Sequence, residues 1–284
     1  MIKLDSLSFR YDEADDYALC DINLDIGKGE FVCIIGAERS GKTTLFRLLN
    51  GTAPRAFEGT VSGSLSVDGQ DPSLRGHMAT GEAVTSIFDD PDSQIISLTV
   101  AEEIAFALVQ RGLDFEDIHT RCTESLKLVG LSGFEHRATG TLSGGQKQRL
   151  VMAAALALKP KVLLVDEGTS ALDPEGAEHC FALVKDLIKR EGTTAIMIDR
   201  SIELALRYAD RIIVLDHGKV ALSGTPALIS QNPKLLASLG LRVPLWLDLC
   251  ATLASRSLIQ GDLPASEAEA LAILAPLTAQ RETA

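Results

Sequence analysis

The chain has 284 residues, of which 46% are hydrophobic, enough to bury a large core. Its formal net charge of −12 argues against a partner held by its phosphate backbone, since nucleic-acid footprints are basic. Five cysteines (Cys20, Cys33, Cys122, Cys180, Cys250) lack paired spacing, which fits a reduced chain better than a disulfide framework or a zinc site. The N-terminal residues offer no apolar stretch for a signal peptide, and the longest uncharged apolar run, Val151 to Leu158, is too short to span a bilayer.

Leu4 to Tyr11 alternates like a half-buried strand, and Ile22 to Ile26 repeats the pattern before Gly27-Lys28-Gly29 interrupts it. Phe31-Val32-Cys33-Ile34-Ile35 is apolar throughout, as expected of a parallel strand covered on both faces. Gly36-Ala37-Glu38-Arg39-Ser40-Gly41-Lys42-Thr43 follows it and opens a helical pattern that continues through Thr44. This is G-x-x-x-x-G-K-[ST] in the strand–loop–helix context it requires: backbone N–H groups for a β-phosphate, Lys42 for β/γ charge, and the Thr43 hydroxyl for Mg²⁺. The loop predicts nucleotide binding without choosing among GTPase, kinase and transport ATPase.

Ser64 to Gly69 reads as an antiparallel hairpin arm outside the core. Thr99 and Glu102 form a capping-box pattern, and residues 99 to about 131 read as helix within an inserted helical subdomain spanning about 95–155. Leu142-Ser143-Gly144-Gly145-Gln146 places a hydroxyl and two glycine amides at a helix start, a second anion-binding device. Val162-Leu163-Leu164-Val165 is another buried strand, ending in the acidic pair Asp166-Glu167, which alone would read as a solvated strand end. Thr194 to Ile198 and Arg211 to Leu215 read as further core strands, giving an α/β core. After Gly224-Thr225-Pro226 the chain turns Leu/Ala-rich and helical.

The phosphate loop, the Leu-Ser-Gly-Gly-Gln run extended by Lys147-Gln148-Arg149, and Asp166-Glu167 some twenty residues later together resemble the ABC ATPases. The resemblance covers the whole chain and implies a P-loop nucleotide-binding domain over 1–235 with an antiparallel β subdomain, and a C-terminal helical extension over 236–284 used in dimerisation. It implies ATP and Mg²⁺ as ligands, Asp166 as the Mg²⁺-side carboxylate, Glu167 as the group that polarises the attacking water, and a second ATPase subunit whose ATP the signature covers. Tyr11 would stack on adenine, and Ser170-Ala171-Leu172-Asp173 matches the loop that crosses the dimer interface.

Pro91-Asp92-Ser93-Gln94-Ile95, leading into Leu98 to Phe106, and the tail from Leu239 to Pro244 are most similar to the energy-coupling factor (ECF) type. That type implies a transmembrane scaffold protein and a substrate-binding membrane subunit as partners. The ATPase would sit peripherally on the cytoplasmic face of the cell membrane and power import of a vitamin or metal ion, with no nucleic acid involved. An ABC ATPase acting on DNA or the ribosome is disfavoured by the single cassette, the lack of long heptads and the acidic composition.

The chain departs from the family pattern in four places. Glu38-Arg39 stands where Asn-Gly is usual, and Gly168 replaces a proline. Asp89 occupies the glutamine position of Phe88-Asp89-Asp90-Pro91, with Gln94 the next polar candidate. The switch histidine position is Arg200, after Asp199. Asp89 retains a hard oxygen for Mg²⁺, and Arg200 brings a permanent charge toward the γ-phosphate. The resulting expectation is a slowly hydrolysing own site in an unequal heterodimer. Retained activity, or a subunit that binds ATP mainly as a regulatory clamp, stays open at this stage.

Overall fold

The computed structural model describes residues 1–72, 83–169 and 172–279. Strands β1 (Ile2–Tyr11), β2 (Leu19–Ile26) and β3 (Phe31–Ile35) lead into α1 (Lys42–Leu49), and β4 (Gly59–Val67) and β5 (Val84–Ile87) follow. The inserted helices are α2 (Val100–Gln110), α3 (Phe115–Leu128) and α4 (Gly144–Ala157). The chain then alternates β6 (Val162–Asp166), α5 (Pro174–Glu191), β7 (Thr194–Ile198), α6 (Ile202–Tyr208) and β8 (Arg211–Asp216), and closes the sheet with β9 (Lys219–Gly224). Helices α7 (Pro226–Ser230), α8 (Pro233–Ser238), α9 (Leu245–Ser255) and α10 (Glu267–Ala279) complete it.

The six-stranded sheet has the order β5-β6-β7-β3-β8-β9, parallel except for β9. Every residue of β3, β6 and β7 is buried, as their uninterrupted apolar sequences require of strands covered on both faces. A smaller antiparallel sheet, β2-β1-β4, flanks it. β4 begins five residues earlier than the sequence suggests. Thr60, Ser62, Gly63 and Ser64 lie at least partly exposed, so they carry no apolar alternation to mark the strand.

Register fixes where the site lies. Ile87 pairs with Val165, Val165 with Met197, and Cys33 with Met197, so β5, β6, β7 and β3 end level with one another. Phe88-Asp89, Asp166-Glu167, Asp199-Arg200 and the Gly36 loop therefore leave the sheet at one edge. That carboxyl edge is where open parallel sheets place ligands.

The 99–131 helical reading divides in two. Gly112, at φ 73°, ends α2, and Asp114 starts α3 by accepting from Asp117 N at 2.8 Å. The capping box is present: Thr99 N donates to Glu102 Oε2 at 3.0 Å, and Glu102 N donates to Thr99 Oγ1 at 3.4 Å. The C-terminal segment folds back on the core through buried Leu241, Leu247 and Cys250, and Gln231 exchanges two hydrogen bonds with Leu263 (2.8 and 3.0 Å). All five cysteines are free thiols. No helix among the described residues is long and apolar enough to cross a membrane.

Candidate functional site

The phosphate loop is built by backbone necessity. A Cβ on Gly36 would lie 2.4 Å from Leu215 O, and one on Gly41 (φ 103°) would lie 2.7 Å from Ala18 O. Gly41 also starts α1 with no side-chain cap, whereas Thr99, Asp114, Ser143 and Asp173 cap α2, α3, α4 and α5. An uncapped N-terminus leaves N–H donors and positive dipole for an anion, so the loop fits a nucleotide phosphate. Thr43, Thr44 and Ser40 line a cleft of about 240 Å³ beside it. Arg39, where the family has glycine, adopts the left-handed φ of 61°, a backbone region that strains a residue with a side chain.

Lys42 Nζ donates to Gly36 O and Ala37 O, both at 2.8 Å, and to Ser40 Oγ at 3.4 Å. Burial pulls its pKa below the usual lysine value, while nearby Glu167 works the other way. Its ammonium thus lies within the loop that would wrap a phosphate. Lys42→Ala is expected to weaken nucleotide binding by about 1.5–3 kcal/mol, the range for a lost charge-assisted bond. A fluorescent-ATP titration measures it, and unchanged affinity would refute the assignment.

Tyr11 lies at the end of β1. Its hydroxyl meets Thr44 Oγ1 at 3.0 Å and accepts from Arg47 NH1 at 3.1 Å, which fixes the ring against α1.

Asp166 ends β6 almost fully buried. Burial first, then the neighbouring Asp89 and Glu167 carboxylates, push its pKa up to about 6. Among the described residues no three His, Cys, Asp or Glu side chains converge into a metal cage, so Mg²⁺ would take at most one or two of these carboxylates, with Asp166 and Asp89 as the candidates, and complete its shell from the Thr43 hydroxyl, water and phosphate oxygens. Glu167 has φ 45° and donates its N–H to Ile198 O at 2.9 Å. Gly168 tolerates no proline-like Cβ here, which would come within 2.4 Å of Val165 Cγ1.

Two polar candidates are already engaged by hydrogen bonds to neighbouring groups. Gln94 accepts from Phe88 N at 2.8 Å and donates to Ser86 O at 3.2 Å, so it braces the loop that carries Asp89. Gln146 accepts from Ser143 N at 3.0 Å and donates its own N–H to Ser143 Oγ at 3.3 Å, making a second capping box. Sequence reasoning missed that box, although Ser-x-x-Gln before an apolar run signals it. Leu142 is buried beneath the signature.

Ser143 and Gly145 line a different cleft, of about 600 Å³, with Asp173 and Gly176. The signature and the phosphate loop therefore open on separate clefts within one chain. Ser170 and Ala171 of the interface loop lie outside the described residues.

Arg200 carries the least expected contacts. Its Nε donates to Glu167 Oε1 at 3.0 Å and its NH1 to Glu38 Oε1 at 3.2 Å. Asp199 beside it is buried, bonded by the Thr169 hydroxyl and by Ser201 N (2.8 Å), and burial raises its pKa. It anchors the loop that follows Glu167, a role the sequence did not disclose.

Comparison with known proteins agrees with this geometry. The family model for ABC transporters matches residues 19–170. A Pyrococcus horikoshii protein named as an ABC transporter ATP-binding protein is 39% identical over 260 residues, covering 92% of each chain. Among solved structures, CbiO1 of Clostridium perfringens, described as part of the ABC transporter complex CbiONQ, superposes with a TM-score of 0.74. It is 32% identical, with 87% of this chain and 97% of that one covered. The ATP-binding cassette MJ0796, solved as a dimer in a post-hydrolysis state bound to ADP and Pi, gives a TM-score of 0.70. It is 29% identical, with 79% of this chain and 98% of that one covered. With 39% identity across nine-tenths of both chains, and a phosphate cradle, carboxylates and signature all in place, the protein belongs to the ATP-hydrolysing, ATP-binding proteins of ABC transporters.

Proposed function

We propose that the chain powers an ECF-type importer of a small solute, such as a vitamin or metal ion, from the cytoplasmic face of the membrane. In this reading it pairs head to tail with a second ATPase and docks on a transmembrane scaffold that works with a substrate-capturing membrane subunit. Mg²⁺ held by Thr43, Asp166 and Asp89 would draw negative charge from the β/γ-phosphate oxygens. Glu167 polarises the attacking water, and the loop amides and Lys42 hold the phosphates.

The observation that carries the reading is a set of large apolar side chains left exposed in the segment that follows the Asp89 loop in sequence. Ile96, Leu98 (82% exposed), Phe106 and Val109 follow the loop before α2 and its outer side, and Phe115 (85% exposed) lies at the start of α3. Glu103 Oε2 accepts from Ile96 N (3.0 Å) and Ser97 N (2.8 Å), so this apolar segment is held firmly in place. Large apolar side chains grouped on a surface favour a protein partner. The separate clefts of signature and phosphate loop support pairing of two ATPases, and the likeness to CbiO1 supports the ECF type. The Arg200–Glu167 bond supports an unequal pair in which this chain's own site turns over slowly.

Leu98→Glu combined with Phe106→Glu should release the chain from membranes when it is co-expressed with the transmembrane scaffold protein of an ECF-type transporter from the same genome. Nucleotide binding should remain within about twofold of the parent. Undiminished membrane association would overturn the docking assignment.

A further inference from the structure

Gln148 lies on the second turn of α4 and is only 2% exposed. Among the described residues neither its amide oxygen nor its amide nitrogen has a hydrogen-bond partner. Buried polar groups are nearly always paired, and one left unpaired carries its full desolvation cost. Water does not relieve this one. The void beside it measures about 10 Å³, the least that could admit a water, and Val129, Met152, Leu172, Cys180 and Leu183 make most of its lining apolar. An apolar side chain of the same length would carry no such cost.

The amide sits where α4 meets the segment between Glu167 and α5: a Cβ on Gly168 would come 3.4 Å from Gln148 Nε2. The signature cleft of about 600 Å³ has Ser143, Gly145 and Arg149 on its α4 wall and Leu172, Asp173 and Gly176 on its α5 wall. The void beside Gln148 shares Arg149, Leu172 and Gly176 with that cleft, so Gln148 lies at its root, between the two walls. On its other side α4 is tied down. Lys147, the preceding residue, is ion-paired with Asp92, three residues beyond Asp89, and its side chain is only 19% exposed. Toward α5 the packing is open. A groove of about 770 Å³ separates α5 from the ends of α3 and α4, crossed by His179 Nε2 to Leu128 O at 3.3 Å and by Lys159 and Glu191 at 3.7 Å. This arrangement lets α4 and the Asp89 loop shift together against α5, and Gln148 stands where that shift would be felt.

We propose that Gln148 is a positioning residue for hydrolysis of the ATP that this chain's signature covers. Its amide, unpaired in the open cleft, hydrogen-bonds the Gly168 backbone when the cleft closes, and so sets the spacing between Ser143 and Asp173. Closure recovers the desolvation cost that the open arrangement bears, and is favoured by that amount. The proposal rests on the pairing of two ATPases and involves no group that contacts this chain's own nucleotide.

The test compares Gln148→Met and Ser143→Arg with wild type, each as the full chain alone and in the assembled ATPase pair. Methionine keeps the length of glutamine and has no group that needs a strong hydrogen bond. Without nucleotide, Gln148→Met is expected to raise the melting midpoint of the chain by at least about 2 °C, because the unpaired amide is gone. In the pair it should lower kcat for ATP about tenfold and change KM by less than about threefold. A merely structural role predicts a different pairing of results, in which the methionine variant is at least as stable as wild type and hydrolyses as fast. The proposal is overturned if Gln148→Met keeps kcat within about threefold of wild type, or if its midpoint falls below that of wild type. If Ser143→Arg leaves hydrolysis unchanged, the signature cleft is idle and the pairing reading fails together with the proposal. If Ser143→Arg abolishes hydrolysis and Gln148→Met does not slow it, the proposal alone has failed.

Discussion

Ser143→Arg is expected to lower steady-state ATP hydrolysis by the assembled ATPase pair by about 10³-fold or more, while Glu167→Gln in the same pair costs only about tenfold. Ser143 caps α4 and, with Gly145, lines a cleft separate from this chain's phosphate loop. In the proposed pair that cleft receives the partner's γ-phosphate, and an arginine side chain there would block closure. Removing a general base usually costs about 10²–10⁴-fold. The smaller figure for Glu167 follows from Arg200, whose Nε already occupies Oε1 at 3.0 Å and diminishes the carboxylate as a base. The serine also holds Gln146 N at 3.3 Å, so its loss should cost about 1 kcal/mol of stability, which a melting curve separates from the catalytic effect. Equal losses in the two variants would show that this site hydrolyses as fully as its partner's.

The second large effect belongs to Asp166. Its folded pKa of about 6 lies above the ordinary 3.8, so the folded chain holds a proton that the unfolded chain has released. The sign follows directly. Between about pH 4 and 6 the native state binds more protons, so stability falls as pH rises through that window and stays lower above it. A shift of this size corresponds to about 1–3 kcal/mol once residual solvent screening is allowed for.

Asp166→Asn should therefore be more stable than the parent by about 1–2 kcal/mol at pH 8 without metal, and nearly equal to it at pH 4.5. Its amide can donate toward Asp89 and Glu167 instead of repelling them. Mg²⁺ should raise the melting temperature of the parent and not of the variant. The variant should also lose at least about 10²-fold in hydrolysis. Urea midpoints at both pH values, with chelator and with Mg²⁺, test this. A variant less stable than the parent at pH 8 would refute the assignment.

Chemistry carried by local pattern was legible in the sequence, and chemistry carried by contact was not. The phosphate loop, the signature and Asp166-Glu167 are contiguous runs whose spacing follows the strand–turn–helix geometry, so one chain of letters contains each. The Arg200–Glu38 bond joins residues 162 apart, and nothing in either local run announces the other. Gln94 read as a phosphate-facing candidate because side-chain direction is not a property of spacing, and hydrogen bonds to Phe88 and Ser86 already engage it. The core strands β3, β6, β7 and β8 were read because burial leaves an unbroken apolar run in each, whereas β5, with Thr85-Ser86 at its centre, was not. β9, with a burial pattern of partial and full exposure, left none strong enough to notice.

The carboxylates around the phosphate loop also govern how ligands arrive. Glu38, Asp89, Asp90, Asp166 and Glu167 crowd one edge of a chain whose net charge is already −12. Uncomplexed nucleotide, an anion, approaches against that field, while Mg²⁺ is concentrated by it. The kinetically favoured visitor is thus the metal–nucleotide complex, whose charge is partly cancelled before it reaches the cleft. Salt shortens the reach of the field from about 30 Å at 0.01 M to about 8 Å at 0.15 M. Added salt consequently speeds capture of free nucleotide by this chain, where it would slow capture by a pocket with a basic rim.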